Sequence, residues 1–120
     1  YTRDIVGRSG FKFSLPKTAV AVGTGGTISS VRTIIGARTG QTLHETPATV
    51  SLAELCTLLD QLGALPLAER KKIPGLPPAR ADVFPAALAT TITLAELGGF
   101  NAFENSLYNL RWGLVAEALD

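Results

Sequence analysis

The chain has 120 residues, 46% apolar and 18% charged, with a net charge of +1 and a mean hydropathy of +0.25. Its scattered, balanced charges give no electrostatic case for a nucleic-acid partner, and no apolar stretch reaches the roughly 18 residues that span a membrane. The lone Cys56 permits no internal disulfide or Cys-rich metal site, and the lone His44 leaves no spare ligand for a His-based zinc site or a Ser-His-Asp triad.

With no secretory leader in the sequence, the cytoplasm is the expected compartment. Residue 1 is Tyr and the chain contains no Met, so the expectation is a stretch from inside a longer gene product. Residues 1–120 then form a single partial domain, with 1–17 as a lead-in segment. That lead-in mixes charge, glycine and aromatics, shows no clear element, and offers only Phe11-Lys12-Phe13 as a short alternating strand or docking segment.

The next stretch organises the rest. Thr18-Ala19-Val20-Ala21-Val22 is a short apolar run of small and β-branched residues, as expected of a strand buried on both faces. It stops at Gly23-Thr24-Gly25-Gly26-Thr27, and Ile28 onward continues as a helix with Thr27 as N-cap and Gly36 as C-cap. Strand, glycine loop and helix N-terminus together suit an anion: glycines expose bare N–H groups, and the helix start adds unpaired donors and a positive dipole end. An ordinary tight strand-to-helix turn reads the same residues equally well. The loop is not a P-loop, because Gly26 is followed by Thr27-Ile28 instead of Lys-Ser or Lys-Thr. Nor does it fit the dinucleotide fingerprint, since Ile28 stands where the third glycine belongs.

Residues 37–50 read as a polar surface loop containing His44, Glu45 and Pro47. Ser51-Leu52-Ala53-Glu54 is a capping box, and Leu52, Leu55, Leu58, Leu59 and Leu62 recur at helical spacing up to Gly63. A second short helix is expected at Pro66 to Lys72. Pro74-Gly75-Leu76-Pro77-Pro78 is a stiff turn, and Pro78 opens a helical segment to about Leu97 that either kinks at Pro85 or begins afresh there. Phe84, Leu88, Ile92 and Ala95 form its apolar stripe; Ala86, Ala87, Ala89 and Thr90 allow close approach, to a sheet or to a ligand. Gly98-Gly99 ends it, Phe100 to Ser106 is a second strand, and Tyr108 to Leu119 a last amphipathic helix. A helical crossover between two strands makes the fold class α/β with parallel strands.

Several stretches together resemble the exopolyphosphatase and guanosine pentaphosphate phosphohydrolase (Ppx/GppA) family of the actin-like ATPase superfamily. They are Val22-Gly23-Thr24-Gly25-Gly26-Thr27-Ile28, Leu65-Pro66-Leu67-Ala68-Glu69-Arg70, Ile73 to Val83 with its Pro-Gly and Arg-Ala-Asp elements, and Leu110-Arg111-Trp112-Gly113-Leu114. The resemblance covers roughly residues 18–120 and implies part of the second ribonuclease-H-like lobe of a two-lobed enzyme. Such an enzyme cleaves terminal phosphoanhydride bonds of inorganic polyphosphate or guanosine pentaphosphate, with Mg²⁺ held mainly by residues outside this chain. On that resemblance Gly23, Thr24, Gly25, Gly26 and Thr27 line the interlobe cleft and hold phosphate. Arg80 and Asp82 match positions where an ion pair or cap is expected, and Arg111 precedes the glycine of the last helix. Two positions depart from the pattern: Ala87 stands where relatives often carry glycine, and His44-Glu45 where many have His-Gly.

The family's catalytic glutamate would lie before Tyr1, so no catalytic residue is assigned here and the 120 residues alone are expected to be inactive. The implied partners are the polyphosphate or nucleotide, the N-terminal lobe and, for the full protein, a second copy as homodimer. Two other readings share the glycine loop: a non-catalytic binding or assembly module with the same fold, and a lobe of a sugar- or acetate-kinase-like ATPase.

Overall fold

The computed structural model describes residues 1–108 and 110–119, with the side chains of residues 110–112 outside that description, so Arg111 is not assigned a contact. Three short strands form one sheet: β1 (Val22–Gly23), β2 (Thr49–Ser51) and β3 (Ala102–Asn105), in the order β1-β3-β2. β1 runs parallel to β3, with Gly23 opposite Asn105, and β2 runs antiparallel to β3, with Val50 opposite Phe103. The expected parallel pair is present. The third strand, β2, overlaps the end of the stretch 37–50 read as a surface loop, and its antiparallel pairing makes the sheet mixed.

β2 gives no local signal because it has three residues and one apolar side chain. Its pairing with β3, distant in sequence, creates it. Val50 is nonetheless among the most deeply buried side chains, which places β2 over the core. The apolar run ahead of the glycines behaves differently from expectation. Val20 is 64% and Val22 57% exposed, so this strand is not buried on both faces. Among the described residues β1 pairs only with β3, which leaves it at the edge of the sheet.

The helices are α1 (Thr2–Ser9), α2 (Gly26–Thr39), α3 (Leu52–Gly63), α4 (Leu67–Arg70), α5 (Phe84–Gly98) and α6 (Leu110–Leu119). α3 starts at the capping box as read: Glu54 N–H donates to Ser51 Oγ at 3.1 Å, and Ser51 N–H donates to Glu54 Oε2 at 2.8 Å. Its Leu55, Leu58 and Leu62 are buried against α5, whose Phe84, Leu88, Ile92 and Ala95 form the expected stripe. The segment after the proline turn does begin afresh: a 3₁₀ turn at Pro78–Arg80 is followed by α5, with Pro85 in its first turn, where a missing N–H costs nothing.

Two expectations are corrected. α2 does not end at Gly36 but runs on to Thr39, with Gly40 as the left-handed cap at φ 72°. Gly36 is buried within the helix, where a Cβ would stand 2.6 Å from the Gln41 carbonyl oxygen; it is a packing glycine, not a stop. The lead-in contains α1, which the sequence conceals because it buries no residue and has only Ile5 and Val6 as large apolar side chains. It lies on α5 beside an Arg3–Glu96 ion pair. Ala86, Ala89 and Thr90 of α5 face Tyr1, Thr2 and Arg3 across a shallow cavity, not a sheet. Phe11 and Phe13 form no strand and meet edge to face with ring centroids 4.7 Å apart. No helix among the described residues is long and apolar enough to cross a membrane.

Candidate anion site at the glycine loop

Each glycine of the loop has its own geometric reason. At Gly23 a Cβ would stand 2.6 Å from Ile28 Cγ1, so glycine lets the buried Ile28 fold back over the end of β1. Gly25, at φ 85° and ψ −161°, occupies a backbone region that is essentially glycine-only and serves as the N-cap of α2. Thr27, expected as the cap, sits instead in the first turn. The cap has no side-chain hydrogen bond, so the N–H groups opening this 14-residue helix keep their donors for an outside acceptor.

At Gly26 a Cβ would stand 1.6 Å from Arg80 Nη1, which means that the Arg80 guanidinium lies directly on the glycine's Cα. Arg80 comes from the 3₁₀ turn after the Pro74–Pro78 stretch, and its side chain is exposed. Of the two roles expected there, ion pair or cap, no Arg80–Asp82 pair forms among the described residues. Asp82 Oδ1 accepts from the Val83 N–H at 2.9 Å, a cap-like contact just ahead of α5, and Arg80 is left to the glycine loop. A planar cation with fork-like donors over a helix N-terminus matches the charge and shape of a phosphate group.

Beneath the loop lies a contact set that sequence reading missed. Arg32 of α2 is 6% exposed and donates from Nε to Thr46 Oγ1 at 3.2 Å, from Nη1 to Asn105 Oδ1 at 2.8 Å, and from Nη2 to the Leu43 and Thr46 carbonyls at 2.8 and 3.0 Å. The signal for it was present. Arg32 follows Ile28 by one helical turn and adjoins Val31, so it stands on the core face of its helix, where an arginine needs a purpose-built set of acceptors.

His44 lies exposed on a 3₁₀ turn at Leu43–Glu45 and makes no side-chain hydrogen bond among the described residues, so it is not joined to the glycine loop there. The same turn carries a second capping box, in which the Thr42 N–H donates to Glu45 Oε1 at 3.0 Å. The backbone and then the side-chain hydrogen bond of Thr42 hold the Glu45 carboxyl below the usual glutamate range. A folded value below the unfolded one means that this cap contributes fully above the unfolded pKa and is lost as pH falls through the folded one. Carboxyl carbon shifts followed by NMR should place the Glu45 midpoint below that of an unstructured glutamate peptide, with the Thr42 amide shifting in step. An ordinary midpoint would show that the cap is not formed in solution.

Among the described residues no group of three His, Cys, Asp or Glu side chains is placed to hold a metal ion. No step through Mg²⁺ is derived from this chain.

No protein-family model and no curated protein matches the sequence. Solved structures do match its fold. A Ppx/GppA family member from Aquifex aeolicus superposes with a TM-score of 0.79 at 20% identity over 98% of this chain and 38% of its own. An exopolyphosphatase from Cytophaga hutchinsonii gives a TM-score of 0.71 at 28% identity over 85% of this chain and 34% of its own. The resemblance read from the sequence is thus matched in structure: the chain has the α/β fold of the actin-like ATPase type found in these Ppx/GppA proteins. It spans little more than a third of their length.

Proposed function

We propose that this chain is the part of the second lobe of a two-lobed phosphohydrolase that holds phosphate while a terminal phosphoanhydride bond of inorganic polyphosphate or guanosine pentaphosphate is cleaved. The observation that carries the reading is the Arg80 guanidinium seated on Gly26 at the open N-terminus of α2, within a fold shared with an exopolyphosphatase. Gly23, Thr24, Gly25, Gly26 and Thr27 supply backbone donors and the helix dipole, and Arg80 supplies the charge. Phosphoryl transfer also needs charge neutralisation at the transferred group and an oriented water, commonly through Mg²⁺ and a carboxylate. In this reading both belong to the other lobe, and the chain binds and orients phosphate without hydrolysing it.

The test is calorimetric titration with tripolyphosphate and with guanine and adenine nucleotides, on the protein and on Arg80→Ala. Tripolyphosphate binding that weakens about tenfold or more in Arg80→Ala is the expected result, since a hydrogen bond to a charged group contributes roughly 1.5–3 kcal/mol. Adenine-nucleotide binding without polyphosphate binding would move the assignment to the kinase-like lobe. Phosphate release by the 120 residues alone, surviving repurification, would overturn the division of labour between lobes.

One feature favours the assembly-module reading as a second possibility. An apolar cavity of about 490 Å³, lined by Val6, Phe11, Phe13, Ala21, Leu94, Phe100 and Phe103, opens to the surface. Sedimentation showing a monomer at all concentrations would count against self-assembly through it.

A further inference from the structure

A guanidinium can only donate hydrogen bonds, so the contact from Arg32 Nη1 to Asn105 at 2.8 Å fixes which end of the Asn105 amide is oxygen. The amide nitrogen must then face the other way. It donates to the Gly23 carbonyl at 3.0 Å and approaches Ser29 Oγ at 3.4 Å. Ser29 Oγ in turn donates to the Gly25 carbonyl at 2.9 Å, and the Ser106 N–H donates to the Gly23 carbonyl at 3.0 Å. The carbonyls of both Gly23 and Gly25 are therefore tied to protein donors.

Those ties matter for an anion. A loop carbonyl that rotated outward would bring a negative oxygen toward a phosphate and take its paired N–H away. Arg32 itself is buried and meets only neutral acceptors among the described residues, so the network under the loop carries an uncancelled positive charge. We propose that Asn105, oriented by Arg32, is the positioning residue that holds the glycine loop with its N–H groups available to phosphate. This rests on the reading of the loop as a phosphate site.

Asn105→Ala and Asn105→Asp separate positioning from bulk stability. The aspartate keeps an acceptor for Arg32 and turns the contact into an ion pair, so the melting temperature should stay within a few degrees of the parent. It has no donor for the Gly23 carbonyl. Both variants should bind tripolyphosphate about tenfold more weakly or worse, in line with loss of an orienting hydrogen bond next to a charged ligand. Backbone order parameters at Gly25 and Gly26 should fall in both from the rigid value of about 0.85 toward 0.6 or below, while α3 and α5 stay unchanged.

Parent-like affinity in either variant overturns the proposal, including weakening in Asn105→Asp alone, which would be repulsion by the new carboxylate. If the unsubstituted protein fails to bind tripolyphosphate, the phosphate-site reading falls. The loop order parameters of Asn105→Ala without ligand then decide the positioning role, and retained order refutes it.

Discussion

Replacing Gly75 with alanine should destabilise the protein by about 3 kcal/mol or more and lower its melting temperature on the order of 10 °C. Two costs act at once. Gly75 sits at φ 90°, in left-handed territory that costs an L-residue roughly 1–2 kcal/mol. Its Cβ would also stand 2.7 Å from the Thr33 carbonyl oxygen and 2.8 Å from the Ile34 nitrogen, both backbone atoms of α2 that cannot swing aside. Overpacking of that kind typically adds about 1–3 kcal/mol. Gly99→Ala is the control. Gly99 has a similar φ of 72° but open space around the missing Cβ, so only the conformational cost of about 1–2 kcal/mol applies. Urea unfolding of the two variants checks this, and equal losses would show that the turn does not press on α2.

Phe84→Ala should cost about 3–5 kcal/mol, the usual range for deleting a buried aromatic ring. Phe84 is 2% exposed and is the largest of the fully buried side chains, at the start of α5 among the leucines of α3. Its loss removes the apolar burial and leaves a cavity where α3, α5 and the proline turn converge, with Leu76 and Ala81 as neighbours in the same core. Phe84→Leu should recover most of that, because much of the volume is refilled. A loss under about 1 kcal/mol for the alanine variant would mean that the α3–α5 core is not packed as described.

How far the fold could be read from the residues depended on the range of the interactions that make each part. Capping and helical periodicity act within a few residues, so the Ser51–Glu54 box, the leucine face of α3 and the Phe84-Leu88-Ile92-Ala95 stripe were all legible. β2 and α1 depend on pairing or packing with elements far along the chain, and neither announces itself locally. Gly36 shows the limit most clearly. As a residue type it signals a helix end, whereas its role is set by the Gln41 carbonyl that packs against it.

The candidate site divides along the same line. The glycine loop stood out because its residues are adjacent in sequence. Arg80 and Asn105 reach it from two distant segments, and Arg32 connects to it through Asn105, so only the fold brings them there.

The turn from Gly75 to Arg80 touches α2 at two places, at Thr33–Ile34 through Gly75 and at Gly26 through the Arg80 guanidinium. At 1.5 Å of rise per residue those contacts lie roughly 10 Å apart along the helix axis. A segment pinned twice to one rod cannot pivot on it. The turn backbone and the helix N-terminus are therefore held at one spacing, with the Arg80 guanidinium carried on that turn beside Gly26. For the phosphate site proposed above, a spacing set in advance of the ligand would lower the ordering cost of binding. At that proposed site it would also disfavour ligands whose phosphates need the two donors farther apart.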